Sequence, residues 1–505
     1  MAEPLYLGID VGTGGVRAIV ADGTGRVAAE GRAPLSSAAG TPDGHHEQDP
    51  EHWWSATREA IAGMLEVLNG STVGSHSGSS VSAGARSGST ASGSPEQIVA
   101  ASVDGTSGTV VCVDADGRAL GNAIMYNDGR AQAQAEHLSD MSGVSIAPSW
   151  AIARLLWLAE LDPLRYERTR WVIHQADYIA SRLTGCFGGS DYSNALKMGY
   201  DMNALAWPDW LGKIPGAVDR VPAVAAPADD IGQIDPDVAD ELGLPRALRL
   251  YAGATDGTAG FLASGASLPG QVNTTLGTTL VLKAISSHFV VDPAGMIYCH
   301  RLPGGLWLPG AASSTGGEWI RSEFAGQDLA VLDDRAATMV PTDALVWPLV
   351  RQGERFPILS PTFQGFRSGG SGGEPAGEDR YAAMLQGTAM VERLCYDALQ
   401  AVMGQPLGEV YSTGGGSSSD VWMQMRSNVT GRLMHRPSYP EAALGAAVLA
   451  AAGHQATPVM SAVQEMVQIE RSFTPDRAQQ ARYDDLYGRF CQCVKEISAK
   501  EGGAA

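Results

Sequence analysis

Two aspartates and three glycine-dense turns are the residues of this chain best suited to handling phosphate. The first set lies in Tyr6-Leu7-Gly8-Ile9-Asp10-Val11-Gly12-Thr13-Gly14-Gly15-Val16-Arg17-Ala18-Ile19-Val20, an apolar strand, a glycine turn and a second apolar strand. Gly12, Gly14 and Gly15 let the backbone turn sharply and approach a ligand without interference from a Cβ, and Thr13 adds a hydroxyl beside the amides. Asp10 aims a carboxylate at the same turn, which would repel a phosphate unless a cation such as Mg²⁺ lies between them. The same residues also suit an ordinary β-hairpin with a solvated aspartate, so this stretch leaves both readings open. The run from Gln271 to Leu282 repeats the device around Gly277-Thr278-Thr279, and two such hairpins a lobe-length apart suggest internal duplication around a shared cleft. Asp256, in Gly253-Ala254-Thr255-Asp256-Gly257, opens a small-residue helix and serves either as a structural N-cap or as a general base. Gly414-Gly415-Gly416-Ser417 opens the apolar helix 421–429, either making room for a flat nucleotide or forming a plain loop.

The elements that must position these groups are partly legible. Asp22-Gly23 predicts a tight turn and 26–33 a third antiparallel strand, giving a meander. That strand removes a false lead, because Gly23-Thr24-Gly25 mimics a dinucleotide fingerprint but lacks the helix that must follow. His45-His46-Glu47-Gln48-Asp49 resembles a metal cluster only superficially, and Asp49-Pro50-Glu51 reads as the start of a helix through Trp53 and Trp54 to Leu68. Asp104-Gly105-Thr106-Ser107-Gly108 joins the strands 98–103 and 109–113 as a polar loop that lines a cleft or merely connects. Tyr126-Asn127-Asp128-Gly129-Arg130 offers a carboxylate, an amide and a guanidinium to a polyol, or else caps a helix with a local ion pair. Helical spacing recurs over 151–161 and 178–183, and physics alone assigns no role to the loop 191–201 between them and the Pro-rich run 207–245. The lobe boundary is placed near Leu248, giving an N-terminal lobe of residues 1–248 and a C-terminal lobe of residues 249–505. Residues 69–95 and 368–377 are Ser/Gly-rich and read as surface insertions too poor in apolar residues to fold alone.

A chain of 505 residues is too long for one core, and the size prior suggests two to four domains of roughly 100–200 residues. Hydrophobic residues at 44% and charged residues at 18% suffice for sizeable cores. A net charge of −20 argues against a nucleic-acid partner or an anionic membrane surface. A polyanion such as ATP must then be received by backbone amides, helix N-termini and Mg²⁺. The six cysteines are unpatterned and read as reduced thiols; Cys491 and Cys493 fall in an amphipathic helix with no second pair to complete a zinc site. With no apolar run of spanning length and no signal-peptide pattern, a cytoplasmic location is expected.

In this order the motifs resemble those of the FGGY carbohydrate kinase family. Gly8-Ile9-Asp10-Val11-Gly12-Thr13 is similar to its first phosphate motif, Gly277-Thr278-Thr279 to its second, and Gly414-Gly415-Gly416 through Trp422 and Asn428 to its adenosine motif. Gly253 to Gly257 resembles the segment with the catalytic aspartate, and two further stretches, Glu47 to Trp54 and Gly353 to Pro357 with the helix 381–399 after it, are also similar to family segments. The resemblance implies an α/β, two-lobed, actin-like fold (ribonuclease H-like, hexokinase-type) with an interlobe cleft, ATP and Mg²⁺ as cofactors, and a small-molecule sugar substrate, in a monomer or homodimer. It implies Asp256 as catalytic base; Asp10, Gly14, Ser107, Asp128 and Asp256 at the substrate; Asp10 and Asp256 at the metal. At the nucleotide it implies Gly12, Thr13, Gly277, Thr278, Thr279, Gly316, Gly317, Gly414, Gly415, Gly416, Ser417 and Asn428. Val103-Asp104-Gly105-Thr106-Ser107-Gly108-Thr109 stands where D-xylulose kinases resemble one another in Met-His-Gly. Ser193-Asn194-Ala195-Leu196-Lys197-Met198-Gly199-Tyr200-Asp201 is similar to the cyanobacterial and plant D-ribulose kinase group. The expected activity is therefore phosphorylation of D-ribulose to D-ribulose 5-phosphate, with a D-xylulose or other polyol kinase as the alternative. An actin-like or chaperone-type ATPase is the rival from another class, and the polar loops at 104–109 and 126–130 argue against it.

Overall fold

The computed structural model describes residues 3–36, 44–70, 93–369 and 374–500. Residues 71–92 of the first Ser/Gly-rich insertion and 370–373 of the second lie outside these. The chain forms two compact units, Met1–Ala263 with Glu441–Gln468, and Ser264–Pro440 with Ile469–Ala505. The division falls at Ala263 rather than at Leu248. The reason is strand pairing: Arg249–Thr255 runs parallel to Ile98–Gly105 and so completes the sheet of the first unit. Residues 441–468 also return to that unit, which a single cut in the sequence does not anticipate.

The first unit is built on a six-stranded sheet in the order Asp230–Gln233, Arg249–Thr255, Ile98–Gly105, Leu5–Val11, Gly15–Asp22, Val27–Pro34. The last three strands form the expected meander, and Leu5–Val11 pairs antiparallel with Gly15–Asp22 but parallel with Ile98–Gly105. Side chains alternate along a strand, so the opening strand serves two faces. Leu7, Ile9 and Val11 join a core with Trp53, Ile61 and Met64 of the helix Pro50–Leu68 and with Ile179 of the helix Gln175–Thr184. On the other face lies the helix Ala442–Gln455, whose Ala/Gly-rich sequence is buried almost throughout. Two glycines explain how it approaches so closely: a Cβ on Gly8 would stand 1.9 Å from the Ala443 carbonyl oxygen, and one on Gly445 1.9 Å from that of Ala259.

The second unit has a seven-stranded sheet in the order Tyr298–Arg301, Trp307–Ser313, Leu280–Ala284, Val272–Leu276, Val410–Thr413, Met434–Pro437, Ile469–Phe473. It repeats the arrangement of the first. Val272–Leu276 pairs antiparallel with the strand after its turn, Leu280–Ala284, and parallel with Val410–Thr413 on its other side. The long helix Gly377–Met403 is joined to the helix Asp420–Thr430 by a fully buried ion pair, Arg426 Nε to Glu392 at 2.7 Å. Arg426 Nη1 also donates to Ser412 Oγ at 2.7 Å, and Tyr396 donates to Glu392 at 2.6 Å, so both charges are satisfied and the glycine turn beside them is held to the sheet. All six cysteines are free. Among the described residues no helix is long and apolar enough to cross a membrane.

Candidate active site

Three adjacent strands of the first unit carry an aspartate at or just beyond their C-terminal ends. Asp10 and Asp104 are direct register partners on parallel strands, Ala254 of Arg249–Thr255 pairs with Asp104 on the other side, and Asp256 follows as the first residue of the helix Asp256–Leu262. The carboxylates sense one another. Burial first, and then the negative charge of Asp256, pushes Asp10 up to about 6, against the pull of the Asp104 hydrogen bond and of Arg17. Asp104 is fully buried and raised well above the usual carboxylate range by burial and by the charges of Asp10 and Asp256. Among the described residues no N–H or hydroxyl donor reaches either oxygen of Asp104. A hydrogen bond between it and the neighbouring Asp10 carboxyl would require one of the two to carry a proton, and the raised values of both favour that.

The turn after Asp10 is closed by Gly12 N–H to Gly15 O at 3.0 Å, and the Leu35 amide donates to Gly14 O. Gln48 Nε2 donates to Thr13 O at 2.8 Å while Trp53 Nε1 donates to Gln48 Oε1 at 2.8 Å. The Glu47-to-Trp54 motif thus braces the first glycine turn. Asp49 caps the helix that follows through Glu51 N–H, so the His/Glu/Asp run has the capping role expected of it.

The loop carrying Ser107 is held residue by residue. Gln175 Oε1 accepts from Thr106 N at 3.0 Å and from Thr106 Oγ1 at 2.6 Å. Lys197 Nζ donates to Ser107 O at 3.1 Å, Arg154 Nη1 to Gly108 O at 2.9 Å, and His174 Nδ1 to Thr109 O at 2.9 Å. Because burial lowers His174 to about 4, its ring is neutral near neutral pH and Nδ1 carries the proton. Arg154, fully buried, also donates to Tyr126 O and Asp128 O, tying this loop to the 126–130 turn. Asp256 is anchored from the 191–201 loop, since Thr255 N–H donates to Ser193 Oγ at 2.8 Å and Ser193 in turn donates to Asp191.

Asp128 departs from its expected place at the substrate. Its side chain is fully buried, and its two oxygens accept from Arg130 N, Nε and Nη2 and from His46 N. With its hydrogen-bonding capacity taken up by the protein, it shapes the 126–130 turn and does not offer a carboxylate to a polyol. This is the local ion pair that the sequence left open as the alternative.

In the second unit the expected glycine turns converge. Gly317 N–H donates to Gly277 O at 2.8 Å, and a Cβ on Gly316 would lie 2.5 Å from Thr278 O. Gly414, at φ +81°, brings its Cα so close to the strand end that a Cβ would meet Leu276 O at 2.7 Å. Gly277, Thr278, Gly414 and Gly415 are exposed around this junction, as amides that receive phosphate must be. Ser417 is turned inward, its hydroxyl donating to Gly414 O at 2.7 Å. Asn428 does not join them. It lies near the far end of Asp420–Thr430, eight residues and so ~12 Å along the helix from Asp420, and its Oδ1 accepts from Gln424 and from the Asp476 amide. Asn428 fastens the start of the helix Arg477–Lys500 instead.

Comparison with known proteins places this geometry. The N-terminal domain of the FGGY family of carbohydrate kinases matches residues 5–263 and the C-terminal domain matches residues 272–454. The chain belongs to the FGGY family of carbohydrate kinases. These are ATP-dependent sugar phosphotransferases, and the two-domain α/β structure matches theirs. A xylulose kinase of Escherichia coli is 27% identical over 512 residues, covering 98% of this chain and 99% of that one. A gluconokinase of Bacillus licheniformis is 24% identical, covering 97% and 96%. The crystal structure of a xylulose kinase from Rhodospirillum rubrum aligns with a TM-score of 0.79 at 24% identity, covering 98% of this chain and 99% of that one.

Among the described residues no group of three or more His, Cys, Asp or Glu side chains is arranged to enclose a metal ion. An FGGY kinase has no need of such a cage, because Mg²⁺ is usually held by one or two carboxylates plus waters and phosphate oxygens. Asp10 and Asp256 fit that donor set. Their mutual repulsion and the buried Asp104 beside them are what a divalent cation would relieve. Asp104 and Lys197 were absent from the expected site residues. Asp104 had a signal in the sequence: like Asp10 and Asp256 it ends a strand and is followed by glycine within two residues. Lys197 lay within the 193–201 stretch already set beside the D-ribulose kinase group, but its contact to Ser107 spans 90 positions and no local pattern pointed to it.

Proposed function

We propose that this FGGY kinase phosphorylates the terminal hydroxyl of a ketopentose, with D-ribulose, giving D-ribulose 5-phosphate, as its best substrate. Asp256 is the base. Half-buried, it takes the proton of the attacking sugar hydroxyl as the new O–P bond forms and the bond to the ADP oxygen breaks. Asp10 and Asp256 would hold Mg²⁺, which supplies positive charge for the transferring phosphoryl group. Gly12, Thr13, Gly277, Thr278, Thr279, Gly316, Gly317, Gly414, Gly415 and Gly416 supply amides and hydroxyls to the nucleotide. Ser417 serves by shaping the last of these turns. Gly14 and Ser107 face the sugar.

The observation that carries the choice of sugar is Ser107. Its hydroxyl makes no hydrogen bond to any described residue, on a loop whose four backbone positions from 106 to 109 are each fixed by another side chain. D-Ribulose and D-xylulose differ only at C3, so one rigidly presented hydroxyl can favour one epimer. A buried hydroxyl left unmatched costs about 1–3 kcal/mol, a preference of roughly ten- to a hundredfold. The curated relatives named xylulose kinase favour D-xylulose as the second reading. A coupled ADP-release assay over ketopentoses, pentitols, aldoses and glycerol decides: kcat/KM highest for D-ribulose supports the first reading, highest for D-xylulose the second. ADP release indifferent to every polyol would contradict both and restore an ATPase without a sugar substrate.

A further inference from the structure

We propose that Lys197 is a substrate-contacting residue, its ammonium donating to a ketose oxygen beside the Ser107 hydroxyl and so helping to select the sugar. The assignment rests on the sugar-kinase reading and adds a recognition group to it. Lys197 follows a short helical segment, Tyr192–Ala195, whose Ser193 anchors the backbone just before Asp256. It is therefore carried on the same loop that positions the base. Its stem lies against Gly108, where a Cβ would come 3.0 Å from Lys197 Cδ, so the glycine is what lets the lysine reach across the loop. Nζ makes one hydrogen bond, to Ser107 O at 3.1 Å. An ammonium has three N–H donors, and among the described residues nothing takes the other two.

Half-buried cations with unused donors are costly unless a ligand or water accepts from them. Three features direct Lys197 toward the sugar rather than toward a structural partner. No carboxylate forms an ion pair with it among the described residues, although it feels the charge of Asp256. Its one anchor is the carbonyl of the residue whose own hydroxyl is unpartnered. The two other groups of like charge or basicity near it are tied to the backbone, Arg154 through Nη1 and Nη2 to Gly108 O, Ser149 O, Tyr126 O and Asp128 O and His174 through Nδ1 to Thr109 O, which leaves only the buried Arg154 Nε and His174 Nε2 without partners among the described residues. A polyol, rich in acceptor oxygens and uncharged, suits an ammonium whose charge is already partly offset by Asp256.

The test uses full-length protein with Lys197→Met, which keeps the apolar stem, and Lys197→Arg, which keeps the charge. Steady-state kinetics and calorimetric sugar binding without nucleotide are compared for the best ketopentose and its monodeoxy analogues, with thermal midpoints recorded alongside. Lys197→Met is expected to raise sugar KM and Kd by roughly ten- to a hundredfold, the range for losing a hydrogen bond to a charged donor, while ATP KM stays within about twofold. Lys197→Arg is expected to recover part of the loss. One deoxy analogue should bind wild type and Lys197→Met equally, because the partner oxygen is missing in both cases. Unchanged sugar Kd in a folded Lys197→Met variant, or ATP KM rising as much as sugar KM, overturns the assignment. Wild-type protein whose ADP release ignores all ketoses overturns the sugar-kinase reading itself, and the assignment with it.

Discussion

Asp10, Asp104 and Asp256 meet because three parallel-paired strand ends bring them together, and their proximity makes protonation part of the chemistry. Replacing Asp256 by Asn keeps the shape and removes the base, so kcat is expected to fall by ~10²–10⁴-fold with ATP binding and thermal midpoint nearly unchanged. A purified variant retaining most of its activity would falsify the base assignment. Asp104 makes a second prediction, about pH. Asp10 is raised from 3.8 to about 6 and Asp104 is raised well above the usual carboxylate range too, so the folded chain keeps protons that the unfolded chain has released. That stability is fully present below the ordinary carboxyl value and is lost as pH climbs through about 6. Metal-free protein should therefore melt lower at pH 7.5 than at pH 5.5, and Asp104→Asn, which cannot ionise, should flatten the difference and raise the midpoint at the higher pH. Calorimetry with and without Mg²⁺ checks both, since a bound cation should shrink the same difference. A midpoint that rises with pH in the metal-free protein would be against it.

At the scale of elements, the helix Ala442–Gln455 shows why small residues sit where they do. It has no polar face because it is covered on all sides, and it reaches the opening strand only through Gly8 and the helix Asp256–Leu262 only through Gly445. Gly445→Val would put side-chain atoms inside a backbone contact beside Asp256. The expected cost is about 1–3 kcal/mol or more, read from the urea midpoint, with a loss of kcat exceeding the loss of folded protein because the helix bearing the base must shift. A variant as stable and active as wild type would mean that the helix can withdraw without consequence. The glycine turns behave differently from one another. Gly14 and Gly415 meet nothing where a Cβ would stand, whereas Gly316, Gly414 and Gly416 are sites of close packing.

Across the whole molecule, each unit carries the same device, a strand, a glycine turn and a returning strand, with a parallel strand on the other flank. The strands and turns that build these devices all lie outside residues 71–92. Replacing residues 71–92 by a short Gly/Ser linker is accordingly expected to leave kcat unchanged and the thermal midpoint within about 2 °C, because loop-closure entropy varies only slowly with length. A large loss of either would assign the segment a packing or regulatory role.

The sequence by itself determined the local devices. The opening hairpin, the Gly277 turn and the helix at Asp256 follow from glycine placement, strand alternation and spacing, which act over a few residues. Their order along the chain was enough to mark the family. Only tertiary structure decided what each polar group is free to do. Asp128 was legible as a candidate ligand from type and position and Asn428 from the family resemblance, yet Arg130 and His46 take up the Asp128 carboxylate, and Gln424 and the Asp476 amide engage Asn428 Oδ1. Asp104 and Lys197 are set beside Asp10 and Ser107, partners 94 and 90 positions away. A side chain's chemistry depends on whether its hydrogen bonds and charge are already satisfied. That is settled by long-range pairing, which leaves no local trace in the sequence.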